Sequence, residues 1–88
     1  MKKHVKNYHE RAGISPGEWI GCEHRAEGCQ NTAVDIHHVE FGRYARSDEA
    51  ENLVALCRYC HDLAHGKIIG LPQTPPVELL LIAKERCI

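Results

Sequence analysis

The chain has 88 residues, 26% of them charged and 43% hydrophobic, with a formal net charge of −1. That length holds one small domain with too little interior for a large core, and the near-neutral balance excludes the strongly basic composition of many nucleic-acid-binding domains. Five cysteines and seven histidines are many for such a chain. With no amino-terminal apolar run resembling a signal peptide or membrane span, they point to a reduced, cytoplasmic setting with metal-bound thiolates instead of a secreted disulfide framework.

Residues 1–14, MKKHVKNYHERAGI, have no sustained apolar period, and Lys2, Lys3, Lys6 and Arg11 stand against Glu10, a local balance of +3. This predicts a basic, loosely held arm with at most a short helical turn. His4 and His9 lack a partner at ligand spacing and read as solvated arm residues. Ser15, Pro16, Gly17 and Glu18 have the form of a capping box with proline at the first helical position, and a short turn burying Trp19 is expected there.

Cys22 and Cys29 enclose six residues, CEHRAEGC, a longer loop than the usual two to four of a metal knuckle. A loop containing Gly28 can still bulge between two ligands. His24 either competes for one vertex or is an exposed loop histidine. Residues 33–41, AVDIHHVEF, alternate as a strand, with Val34, Ile36 and His38 on one face and Asp35, His37 and Val39 on the other. Adjacent histidines on a strand cannot both enter one cavity without a bend, so His37 and His38 belong at the strand's end with different roles. In the polar loop that follows, Arg43, Tyr44 and Arg46 either reach a phosphate backbone or are simply solvated. The acidic run Asp48, Glu49 and Glu51 would repel such a backbone unless it turns away.

Residues 52–66, NLVALCRYCHDLAHG, concentrate the chemistry. LVALC is a buried strand, and RYCHDLAHG changes to helical period, placing His61 and His65 on one face, with Gly66 as the stop. Cys57 and Cys60 lie where strand becomes helix, at the two-residue spacing that lets both thiolates reach one zinc ion. With Cys22 and Cys29 they complete a four-thiolate tetrahedron, which leaves Cys87 outside. Gly70, Pro72, Pro75 and Pro76 then preclude regular structure. VELLLIAKERCI forms a last helix, with Thr74 as a cap, Val77, Leu80 and Leu81 on one side, and Leu79, Ile82 and Ala83 widening it. It is expected to cover the back of the hairpin, with a homodimer contact as the second reading.

The ordered set Cys, Cys, His-His, Asn, Cys, Cys-His, His resembles the HNH endonucleases of the zinc-knuckle type. The likeness runs over residues 22–66 through CEHRAEGC, DIHHVEF, ENLVALC and CRYCHDLAH. It implies an α+β fold in which two antiparallel strands and a helix clasp a catalytic metal, the ββα-metal (His-Me finger) motif, with a four-cysteine structural zinc site and here a C-terminal helix. The single domain then divides into a basic arm and short turn at 1–21, the nuclease core at 22–66, and a Pro-rich linker with the packed helix at 67–88.

The resemblance also implies roles. His38 matches the general base that takes a proton from water attacking a phosphodiester, a task suited to an imidazole that titrates near neutrality. Asn52 matches the amide that holds the loop and orients the base. His61, counted in the catalytic set, matches a metal ligand together with His37, and His65 matches a third ligand or a phosphate contact. Asp35 could offer an oxygen ligand, but its strand position makes it an outer acceptor instead. Cys22, Cys29, Cys57 and Cys60 would hold the structural Zn²⁺. Three imidazoles favour Zn²⁺, Ni²⁺ or Mn²⁺ as the one catalytic divalent metal over Mg²⁺, which prefers oxygen ligands. The implied function is hydrolysis of DNA with low sequence preference, because no reading helix is evident. The alternative is a non-catalytic, zinc-stabilised module that binds nucleic acid or a protein. By analogy the chain is a phage or bacterial accessory nuclease, acting alone, as a homodimer or with a phage or bacterial partner protein, and away from membranes.

Overall fold

The computed structural model describes residues 2–15, 17–40 and 48–87. Pro16, the loop residues Arg43, Tyr44 and Arg46, and the far end of the expected first strand at Phe41 lie outside the described residues. The elements in order are α1 (Lys3–Ala12), β1 (Asp35–His38), a 3₁₀ turn (Ala50–Asn52), β2 (Leu53–Leu56), α2 (Arg58–Ala64) and α3 (Pro76–Arg86). No described helix is long and apolar enough to cross a membrane.

β1 and β2 pair antiparallel in the register Asp35↔Leu56, Ile36↔Ala55, His37↔Val54, His38↔Leu53. All four residues of β2 are buried, and their alternation divides the interior in two. Val54 and Leu56 pack with Cys22, Cys57, Cys60, Ala64, Leu79 and Ala83, towards α2 and α3. Leu53 and Ala55 pack with Ile36 and Tyr8, towards α1. This two-sided cover explains why β2 reads as a continuous apolar run. Residues opposite one another in the ladder share a face, so Asp35 and His37 look towards α2 while Ile36 and His38 look towards α1. The expected parity of the strand holds over these four positions. Val34 precedes β1 and is exposed.

The amino-terminal segment differs from the expected loose arm. It is a ten-residue helix whose Tyr8 is fully buried, with Val5 and Ala12 packed beside it. Those three residues follow helical spacing. The stripe is narrow and only Tyr8 is large, so its period is hidden among the charges. Beyond it, the Ser15 backbone N–H donates to Glu18 Oε1 at 2.9 Å, the reciprocal half of a capping box. The turn does not bury Trp19, which is 66% exposed. Its ring lies over Gly21, where a β-carbon would meet it at 2.8 Å, and its Nε1–H donates to Thr32.

α3 starts at Pro76 with Pro75 as its cap residue and no side-chain cap. Thr74 is instead buried, its N–H donating to the Leu63 carbonyl at 3.1 Å. Gln73 Nε2 donates to the Ala64 carbonyl at 2.8 Å, so both residues tie the linker to carbonyls at the end of α2. The buried stripe of α3 runs through Leu79 and Ala83, whereas Val77 and Leu81 face outward. The helix packs on β2 and the 3₁₀ turn. Its last residue, Arg86, donates to the Glu23 carboxylate and to the carbonyls of Ala50 and Leu53 at 2.7 and 2.8 Å. The Arg86 guanidinium also lies 4.6 Å above the Tyr8 ring. Glu23 in turn accepts from the Tyr8 hydroxyl and the Ala55 N–H. This knot ties α1, β2 and α3 together.

Candidate metal centres and active site

Two backbone devices build the sulfur centre. Residues 20–33 fold back on themselves through Cys22 N–H to Asn31 O at 2.7 Å and Ala33 N–H to Ile20 O at 2.9 Å. Within that loop Gly28 has φ of +90° and lies under Tyr59, where a β-carbon would come within 2.8 Å of the ring. Only glycine suits both demands. The six-residue loop therefore closes, and Cys22, Cys29, Cys57 and Cys60 bring their sulfurs within 4.8 Å of one another. Cys29 and Cys57 are 3.8 Å apart at sulfur, too far for a disulfide but matching the edge of about 3.8 Å that Zn–S bonds of about 2.3 Å span in a tetrahedron. His24 is not among them; its Nε2 pairs with Glu78 of α3 at 2.5 Å.

The electrostatics also suit a cation. Burial alone would raise the Cys57 thiol, but N–H groups of Cys60 and Gln30 at 3.3 and 3.4 Å outweigh it and bring the group down to about 7. Burial pushes Cys29 and Cys60 up. Four clustered sulfurs cannot all ionise without an opposing charge, and a divalent ion supplies it.

The second centre is made of imidazoles. His37 on β1 meets His61 on α2 and His65 just past it, with ring centroids 5.2 and 5.1 Å away, and His61 and His65 are 4.6 Å apart. The three rings are mutually near-perpendicular, at 80° to 86°. Their ligand nitrogens lie within 4.8 Å of one another. The Nε2 atoms of His61 and His65 are 3.2 Å apart, close to the edge of about 3.3 Å expected for two imidazoles on one tetrahedral ion. Burial first, then the neighbouring His61 and His65, lowers the His37 ring to about 4. His61 is also lowered, chiefly by burial, with Asp35 acting in the other direction from 3.3 Å. Rings kept neutral can offer lone pairs to a metal.

Across the edge of β1, His38 faces α1. Its Nε2 is 2.8 Å from Asp48 Oδ1; a carboxylate only accepts, so Nε2–H donates and the lone pair belongs to Nδ1. His4 of α1 lies against the same ring, with centroids 4.4 Å apart. Burial and the neighbouring His38 lower its pKa. Asn52 is buried and grips the chain after β1 from both sides, Oδ1 accepting from Glu40 N–H at 2.8 Å and Nδ2 donating to Glu40 O at 3.0 Å. His37, His38, His61, His65, Asp35, His4 and Lys2 line one open cleft of about 340 Å³.

The family model described as HNH endonuclease matches residues 21–67, more than half of the chain. The chain belongs to the HNH endonuclease family. Its HNH region thus holds both cysteine pairs, both strands and α2, in a mixed helical fold with a small two-stranded sheet and a four-cysteine cluster. No curated protein and no solved structure gave a significant match. Of the HNH chain's site residues named from sequence, the structure brings the four cysteines together and His37, His61 and His65 together, and sets His38 on the adjoining side of the same cleft. His4, which lines that cleft, and Asp48, which holds His38 beside it, are absent from the set named from sequence. His4 reads from sequence as a solvated arm residue; the helical spacing of Val5, Tyr8 and Ala12, which docks its helix, is too narrow a stripe to show among the charges. Asp48 carries no signal, being one acid in an acidic run.

Proposed function

We propose that this HNH-family chain is a metal-dependent endonuclease that hydrolyses phosphodiester bonds in DNA with the ββα-metal arrangement, with Zn²⁺ in the four-cysteine cluster as structural support. The observation that carries the reading is the meeting, in one cleft, of three clustered imidazoles and a fourth whose Nε2 is held by a carboxylate. His37, His61 and His65 would hold one divalent ion, Zn²⁺, Ni²⁺ or Mn²⁺ before Mg²⁺ by ligand type. Bound there, the ion supplies Lewis-acid stabilisation of charge developing on the phosphate and the leaving oxygen.

The chain's own residues supply the rest. His38 takes a proton from the attacking water at Nδ1, and Asp48, accepting from Nε2–H, fixes that tautomer and stabilises the imidazolium that results. Asp48 is a positioning residue in this scheme. Asn52 keeps the turn after β1 closed, so that His38 stays at the cleft. Lys2, at the rim, meets a backbone phosphate.

The test is nicking of a supercoiled plasmid across Mg²⁺, Mn²⁺, Ni²⁺ and Zn²⁺, with His38→Ala run alongside and the thiolate metal quantified in both. We expect metal-dependent nicking that falls by about 10²–10⁴-fold in folded His38→Ala. Equal cutting by both proteins would remove His38 as the base. No cutting with any metal, alongside a gel shift of DNA, would replace the nuclease by a binding module of the same fold.

A further inference from the structure

We propose that His4, His38 and Asp48 form a second zinc site in the cleft, and that zinc bound there takes His38 out of use as a proton acceptor. The second half rests on the reading of His38 as the base; the site itself does not.

Three segments converge here: α1, the end of β1, and the residue just before the cap of the 3₁₀ turn. Their ligand atoms lie within 4.8 Å of one another. The side chains of His38 and Asp48 are 13% and 34% exposed, so the position is sheltered yet reachable. Two imidazoles and a carboxylate are a donor set that zinc accepts, with the fourth vertex left to water. The supports are in place as well. Tyr8 anchors α1 in the interior, and Asn7 Nδ2 donates to the Asp48 carbonyl at 2.8 Å, tying the backbone of one ligand to the helix that carries another. The His38 Nε2 to Asp48 Oδ1 separation of 2.8 Å is a hydrogen bond. Opening it to the tetrahedral edge of about 3.3 Å needs only a side-chain adjustment.

The consequence follows from counting protons on one ring. A neutral imidazole carries one proton. With Asp48 accepting from Nε2–H, that proton is on Nε2 and the Nδ1 lone pair is free to take another. With zinc on Nε2, the same proton moves to Nδ1 and Asp48 changes from acceptor to ligand. No proton is lost from the ring, and no lone pair is left for water. The His37, His61 and His65 centre and this one therefore oppose each other: one takes the ion that hydrolysis uses, the other blocks the base when zinc is more abundant.

Calorimetric titration of Zn²⁺ into protein that retains its thiolate metal counts the sites. Two further equivalents are expected for the unaltered chain, and one for His4→Gln and for Asp48→Asn. Long-range ¹H–¹⁵N spectra should show His38 metallated at Nε2 and protonated at Nδ1 at the second equivalent. Plasmid nicking should rise with the first equivalent and fall with the second, and His4→Gln should shift the fall to at least tenfold higher zinc. A single further equivalent in the unaltered chain, two in His4→Gln, or a His38 ring still protonated at Nε2 would overturn the proposal. If the second equivalent and the ring spectrum appear but no nicking is seen with any metal, the zinc site stands and the nuclease reading fails instead.

Discussion

His37 lies buried between two other imidazoles, and these surroundings set how it titrates. The ring ordinarily binds a proton at 6.5, but in the fold only at about 4. Between those values the unfolded chain holds more protons, so stability falls as the pH drops from about 6.5 towards 4, and the ring contributes no slope above that window. We expect the melting temperature of protein with an empty histidine centre to decline across this interval more steeply than that of His37→Asn. Parallel curves would mean that burial does not depress the ring. The pairing of His37 with His38 is legible in the sequence because strand parity forces neighbours onto opposite faces. The partnership of His38 with His4 and Asp48 is not, since it depends on where α1 docks and on how the chain returns from the loop.

At the scale of elements, the Arg86 knot does what the small apolar interior cannot. The guanidinium closes α3 over β2, and Glu23 gathers donors from α1, β2 and α3 at one carboxylate. The side chains of both are only 15% exposed. Replacing Arg86 by Met leaves the Glu23 charge buried without its cation, and breaking such a pair costs about 3–5 kcal/mol. Denaturant unfolding of Arg86→Met should show a loss of that order, and a loss under 1 kcal/mol would mean that water reaches the pair. Nothing in the sequence marks Glu23 and Arg86 as partners, because 63 residues separate them. The strands and α2 are legible because each has a run of strong period or a fixed cysteine spacing. α1 is not, having only Val5, Tyr8 and Ala12 to show among its charges, and Trp19 misleads because a large aromatic ring is expected to be buried.

For the whole molecule, the described residues bury few large side chains, and all five cysteines of the 88-residue chain are buried or half-buried, four of them in one cluster. Folding should therefore depend on the ion that the four sulfurs hold. A chelator strong enough to strip thiolates is expected to abolish cooperative unfolding, whereas a mild chelator that empties only the histidine centre should leave far-ultraviolet circular dichroism unchanged. A cooperative melt after complete removal of the thiolate metal would show that the apolar clusters suffice alone. The family and the order of its elements are readable from the cysteine and histidine spacing over residues 21–67. How the flanking helices close over that core is not, because it is decided by contacts between distant segments.

α2 begins with Cys57 as its cap residue, carries Cys60 and His61 side by side, and leads directly into His65. One short helix of about two turns thus carries residues of both candidate metal centres. The sulfurs fix its rotation about its own axis, and that rotation decides whether His61 and His65 point at His37. Ions held at the two candidate centres would therefore be thermodynamically linked. An ion among the thiolates would then prepare the imidazoles, filling would be ordered with sulfur first, and by reciprocity an ion among the imidazoles would tighten the hold of the cysteines on theirs.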